Sequence, residues 1–166
     1  MPEKATVERA KKDKREGKAP STQAGEFVRE EIEHIREGKH GARSAKQAIA
    51  IGLSKARRAG VDLPPPPKGT TSERTRRSAA SAYRAGRTQH DKVSPARSRA
   101  ARRALEDEGR AAASKTALAR HAHAAAADRT ASERSAAARK AAKTKGAAKR
   151  SAAARKAART RAQNSA

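Results

Sequence analysis

The residues with the most chemical consequence lie toward the C-terminal end. Residues 134–145 read RSAAARKAAKTK and residues 150–161 read RSAAARKAARTR, one phrase repeated with Lys and Arg exchanged at a spacing of 16 residues. Its cations are Arg134, Arg139, Lys140, Lys143 and Lys145, then Lys149, then Arg150, Arg155, Lys156, Arg159 and Arg161. Between Arg134 and Ala166 there are 11 basic residues and no acidic one. A merely solvated face mixes both signs, so a one-sign run of this length points to a polyanionic partner. Guanidinium forks and ammonium point charges are the groups that suit phosphate. On an α-helix Arg139, Lys140 and Lys143 fall within an arc of about 100°, which makes a basic face. Sixteen residues rotate by about 160° beyond whole turns, so on a straight helix the two clusters point nearly opposite ways. A break at Gly146, or a wrapping arm, lets both reach one polyanion. The pattern therefore favours a flexible, wrapping mode over a rigid recognition helix.

Other reactive side chains are present without a catalytic pattern. His34, His40, His90, His121 and His123 show no metal-ligand spacing, and no metal or cofactor is expected. Glu30, Glu31 and Glu33 read as a solvated helix face, and Glu106, Asp107 and Glu108 as partners of the nearby Arg102 and Arg103. There is no Gly-rich phosphate loop. Cysteine is absent, which removes disulfides, thiolate metal sites and thiol nucleophiles and fits a reducing compartment. The expectation is a protein that is not an enzyme.

Composition limits the elements that position these groups. The chain has 166 residues, 41 Lys and Arg against 17 Asp and Glu, and a formal net charge of +24. The apolar share is mostly alanine, which buries little surface, and the aromatic residues are only Phe27 and Tyr83. No apolar run is long enough to span a bilayer and the first residues lack the apolar stretch of a secretory signal, so a cytoplasmic, nucleoid location without membrane contact is expected. Charge is uneven: residues 1–63 hold 15 basic and 10 acidic residues, and residues 64–166 hold 26 and 7. The run Pro64 to Pro67 marks the boundary as a stiff extended spacer.

The sequence thus predicts a mainly α protein: a small helical hairpin followed by a largely disordered or loosely helical basic arm. Residues 1–20 form a charged segment, frayed or unstructured, ended by Gly17 and Pro20. Residues 21–63 hold the hairpin. Its first helix, capped by Ser21 or Thr22, runs to about Glu37 with the stripe Ala24, Val28, Ile32 and Ile35, Phe27 at its flank, and Glu30, Glu33 and Glu37 facing water. The second opens on a Ser44–Gln47 capping box and carries Ala45, Ile49, Gly52, Leu53 and Ala56 before Gly60. Gly52 is either a site of close helix approach or a tolerated glycine. A core this small is marginal alone, so a homo-oligomer through residues 21–63 would help it. Residues 64–69 are the linker and residues 70–166 the arm. The arm holds candidate helices from Thr70 to about Ala85, stopped by Gly86, and from Ser94–Pro95 to about Glu108, then alanine-rich sequence. None has a large-apolar stripe.

Two resemblances attach to these segments. EFVREEIEHIREGKHGARSAKQAIAIGLSKARRAG, residues 26–60, resembles a domain of small basic bacterial proteins of uncharacterised function, KQAIAIGLSKAR at 46–57 being its most distinctive part. Some members are labelled plasmid stabilisation or DNA-binding protein. The C-terminal half, with SPAR at 94–97, resembles the Ala/Lys/Arg tails of linker histones and bacterial histone-like proteins. With the charge pattern this gives the expectation of non-sequence-specific DNA binding by phosphate neutralisation, of a nucleoid-associated or histone-like kind. Two alternatives stay open: an RNA-binding or ribosome-associated factor, and a helical protein-interaction module with a basic tail. A helix-turn-helix reading of the hairpin would add Lys46, Lys55, Arg57 and Arg58 to the DNA contacts.

Overall fold

A Cβ built on Gly52 would meet the Val28 Cα at 2.7 Å and the Phe27 carbonyl oxygen at 3.0 Å. That contact decides between the two readings of Gly52: it is where the helices α2 (Pro20–Arg36) and α3 (Ala45–Arg58) touch backbone to backbone. The computed structural model describes residues 2–88 and 94–164, which are helical without a strand among them. Around the α2–α3 contact two small clusters form. Ala24, Phe27, Ala56 and Val61 make one with Ala10, while Ile32, Ile35, Ala42 and Ala48 make the other with Ala112 and Ala113. Phe27 and Ile35 are the largest buried apolar side chains.

The hairpin has the ends its sequence implies, with one exception. Gly38 takes φ 79° and its N–H bonds the Ile35 carbonyl, closing α2 in a left-handed turn. The Ser44 hydroxyl accepts the Gln47 N–H at 3.2 Å, and the Gln47 side chain accepts the Arg43 N–H at 2.8 Å. Past Gly60 the Val61 N–H bonds the Ala56 carbonyl at 3.1 Å. The exception is the start of α2. Neither Ser21 nor Thr22 caps it; Pro20, expected to end the preceding segment, is its first residue, where the missing N–H costs nothing.

The first residues are a docked helix. α1 (Lys4–Arg15) buries Thr6, Ala10 and Asp13, one face at i, i+4, i+7 built from small and polar groups. Ion pairs hold it as well: Arg9 to Glu26 at 2.6 Å and Lys18 to Asp13 at 2.7 Å. Gln23 also donates to the Lys18 carbonyl at 2.8 Å.

The proline run does not separate the hairpin from the next helix. Arg57, only 8% exposed, reaches over to donate to the Leu63 and Pro64 carbonyls at 3.0 and 3.3 Å. The chain then returns as α4 (Glu73–Thr88), which packs Ala79 and Ala82 against α3. Its cap is Ser72, whose hydroxyl accepts the Thr75 N–H, and not Thr70. Gly86 does not stop it: a Cβ there would lie 1.9 Å from the Arg57 carbonyl oxygen, so Gly86 lets α4 lie on the end of α3.

After α5 (Pro95–Glu106) the chain comes back to the hairpin turn. The Gly41 N–H bonds the Leu105 carbonyl at 2.7 Å and the Ala42 N–H the Gly109 carbonyl at 3.1 Å. A short 3-10 turn, Ala111–Ala113, then places Ala112 and Ala113 in the core, and Arg36 donates to the Ala113 carbonyl at 2.9 Å. Residues 70–88 and 94–121 are therefore grouped with the hairpin in one compact unit, not in an arm. The reason is that alanines and glycines let backbone approach backbone without a large-apolar stripe.

The chain divides into residues 1–121 and residues 122–166. The second unit contains the end of α6 (Lys115–Ala127) and α7 (Ala131–Asn164). It buries no side chain among the described residues. It is nonetheless helical, where disorder or loose helix was expected. Alanine, arginine and lysine have high helix propensity, length offsets the cost of nucleation, and the start is well capped. Thr130 accepts the Glu133 N–H at 3.2 Å while the Glu133 carboxylate accepts the Thr130 N–H at 2.8 Å. At Gly146 (φ 68°, ψ 166°) α7 is broken into two helical stretches, between the two copies of the repeat.

Candidate functional site

Each copy of the repeat occupies one of the two stretches of α7. Residues 134–145 lie before Gly146 and residues 150–161 after it. Arg139, Lys140 and Lys143 share one face of the first stretch, and Arg155, Lys156 and Arg159 the matching face of the second. All are exposed. Among the described residues Lys145, Lys149 and these six cations carry no ion pair, while Arg134 and Arg150 bond only backbone carbonyls, those of Arg129 and Gly146. Arg161 is exposed as well. Eleven cations thus lie along the two stretches of α7, with alanines between them.

Two of the four cations expected on α3 have other employment. Lys55 Nζ lies 2.5 Å from Glu31 Oε2 and 3.7 Å from Glu30 Oε1, balancing two carboxylates buried inside the hairpin. Arg57 is buried against the proline run, and its burial lowers its pKa from the ordinary guanidinium range. Arg58 and Lys46 remain exposed. Inward-turned Lys55 and Arg57 remove two of the four cations that a recognition helix would present. Four further arginines, Arg97, Arg99, Arg102 and Arg103 on α5, were not among the expected nucleic-acid contacts; all are exposed, and among the described residues Arg102 alone has an ion pair, to Glu106 at 3.7 Å. The signal was available in RSRAARR, at 97–103, but the repeat overshadowed it.

Glu30 and Glu31 are the clearest departure from the sequence reading. They were expected in water and are 2% and 0% exposed; only Glu33 and Glu37 of that series face solvent. Glu31 also faces two histidines. His40 Nε2 lies 3.3 Å from Glu31 Oε1, and one ligand atom each from Glu31, His34 and His40 lie within 4.8 Å of one another. Glu3 sits beside them: its carboxylate is 2.9 Å from His34 Nε2 and 3.5 Å from Lys39 Nζ. Those two neighbours hold its pKa below the usual carboxylate range. His121 and His123 belong to α6 and take no part, and His90 lies outside the described residues.

An open polar cleft of about 590 Å³ lies next to His40, lined by the charged side chains of Glu37, Lys39, Glu106, Glu108 and Arg110. No helix among the described residues is long and apolar enough to cross a membrane. In comparisons with known proteins, residues 4–68 match a family of unknown function (DUF6496), a stretch that takes in α1, α2, α3 and the proline run. No curated protein and no solved structure matches the chain.

Proposed function

We propose that the chain binds nucleic acid, chiefly duplex DNA, without sequence specificity, through phosphate neutralisation by α7. The observation that carries this reading is the set of exposed cations on α7, most of them without an internal partner. Each phosphate contact releases condensed counterions, which is favourable whatever the base sequence. The break at Gly146 lets the two basic faces turn toward one duplex. Contact with phosphate also removes repulsion between the cations, so α7 gains helix stability on binding. The body formed by residues 1–121 acts as the anchor, and the exposed arginines of α5 give that body cations of its own.

Duplex DNA is favoured over sequence-specific RNA by the state of the two aromatics. Single-stranded RNA is usually read by stacking bases on aromatic rings. Phe27 is fully buried, and the Tyr83 hydroxyl donates to Asp62 Oδ1 at 2.5 Å with the Arg87 guanidinium 4.9 Å from its ring. Neither offers a free platform. The role that fits is histone-like, nucleoid-associated packaging, and plasmid maintenance is one process such binding would serve.

An electrophoretic titration with several unrelated duplexes of equal length, competed with structured RNA, tests the reading. Equal affinity across the duplexes, with RNA no better than DNA, is the expected result. Preference for one duplex would instead assign base reading to the 1–121 body, and clear preference for RNA would reverse the choice of partner.

A further inference from the structure

We infer that Glu31, His34 and His40 form a transition-metal site of the zinc type, independent of the nucleic-acid reading. Glu31 and His34 stand at i, i+3 on the last turns of α2, a spacing that puts both on one helix face. His40 is brought back to that face by the left-handed turn at Gly38. The three ligand atoms lie within 4.8 Å of one another. The pair His40 Nε2 and Glu31 Oε1, at 3.3 Å, already has the separation of two ligands of a tetrahedral ion with bonds of about 2.0–2.1 Å.

Three observations go beyond that juxtaposition. Glu31 is completely buried, and neither of its carboxylate oxygens has an aligned hydrogen-bond donor. Buried carboxylates are ordinarily hydrogen-bonded, and Glu31 points its unpartnered Oε1 at His40. His40 is set up as a ligand: its Nδ1 lies 3.0 Å from the Gly41 carbonyl, which can only accept, so Nδ1 carries the proton and Nε2 is directed at Glu31. Metal-binding histidines are held in this way, the second ring nitrogen donating to a backbone carbonyl or carboxylate. Charge is the third. Glu30 and Glu31 are both buried, and Lys55 is the one Lys or Arg within ion-pair distance of them among the described residues. A divalent cation on Glu31 Oε1 supplies the missing positive charge.

Two imidazoles and one carboxylate suit zinc, copper or nickel and not magnesium or calcium. The site would also do mechanical work. His40 sits on the 38–44 connection, whose Gly41 and Ala42 N–H groups bind the Leu105 and Gly109 carbonyls. A metal there clips the end of α2 to the connection and so firms the seat of residues 105–113.

The test is isothermal titration of chelator-treated full-length protein with zinc, together with cobalt(II) as an absorbing substitute. One ion per chain, tetrahedral cobalt absorption and a rise in Tm with added zinc are expected. His40→Ala and His34→Gln should each weaken binding by about 100-fold or more with the helical circular dichroism intact, whereas a His121→Ala/His123→Ala variant should bind as the parent does. Should a variant lose its helicity, zinc-dependent shifts of the His34 and His40 ring resonances in the parent protein decide the matter. No binding by the parent, binding abolished by the His121/His123 changes, or ring resonances unmoved by zinc would overturn the site; in that case His40 serves Glu31 as an ion-pair partner alone.

Discussion

Within residues 1–121, Asp13, Glu26, Glu31, Asp62 and Glu73 each hold a basic partner, at distances from 2.5 to 3.1 Å. Within residues 122–166 the basic residues number 12 and the acidic ones two, and one of those, Glu133, is used as a helix cap. The same residue types therefore do opposite work. In the first unit they substitute for the large apolar side chains that the composition lacks, joining α1 to α2 and α3 to α2. In the second, Arg139, Lys140, Lys143, Lys145, Lys149, Arg155, Lys156 and Arg159 carry no ion pair among the described residues, on helices that bury no side chain. Charge that is satisfied internally builds structure, and charge that is not is available to a partner. Net charge alone does not separate the two cases, because the first unit is itself basic.

The largest effect should come from removing the unsatisfied set. Replacing Arg139, Lys140, Lys143, Arg155, Lys156 and Arg159 together by Gln is expected to weaken DNA binding on the order of 100-fold at moderate salt. The Tm of the 1–121 body should stay where it was, as calorimetry of the full chain would show. A loss of stability equal to the loss of binding would break the distinction between the units.

Changes to the first unit should do the reverse. Phe27→Ala is expected to cost about 3–5 kcal/mol in denaturant unfolding, as a large side chain buried in a small core. Lys55→Met, which keeps the aliphatic stem, should cost about 3 kcal/mol by leaving Glu30 and Glu31 buried without their ammonium. Neither should alter the number of phosphates engaged by folded protein.

One substitution made in both units sharpens the comparison. Gly52→Ala drives a methyl into Val28 and Phe27 and should cost about 1–3 kcal/mol. Gly146→Ala meets nothing within 4 Å, although φ 68° disfavours it in the bent form. It should straighten α7, leave the unfolding of the body unchanged, and lower DNA affinity modestly by turning the two basic faces apart. The Gly52 effect is read by chemical denaturation and the Gly146 effect by circular dichroism and a binding titration.

The smallest effect is expected in acid. Asp62 is held below the usual carboxylate range by the Tyr83 hydroxyl and then by Arg87, Glu16 by Lys18, and Glu73 by Arg76. Groups with lowered folded pKa contribute fully above the unfolded carboxylate range and lose that contribution as pH falls through their folded values. Stability of the first unit should therefore decline below about pH 4, gradually, because these groups are exposed. Helicity of α7, which depends on a single such carboxylate, Glu133, should change little in the same titration.

The hairpin was legible because α2 and α3 have apolar spacing, a capping box at Ser44 and glycine stops, all local signals. The elements around it were hidden for a common reason. α1 docks through Thr6, Ala10 and Asp13, α4 through Ala79, Ala82 and Gly86, and residues 105–113 through backbone bonds and two alanines. Small residues signal close approach only once the partner surface is known. The burial of Glu30 and Glu31 was hidden by their type, since a carboxylate reads as solvated until the Lys55 that neutralises it is placed opposite. Of the candidate site, the break at Gly146 was legible in the repeat and helical rotation as one of two ways to turn the basic clusters, the other being a wrapping arm. The convergence of His40 with Glu31 and His34 depended on the direction of one turn.

The most direct test of the central claim is the dependence of DNA affinity on salt, measured for the full chain and for the six-fold Gln variant. A plot of log K against log salt should have a slope of about −4 to −8 for the full chain and be shallower by about 3 or more for the variant. A slope that the substitutions leave unchanged, or a full chain whose affinity ignores salt, would contradict the assignment of the α7 cations to phosphate.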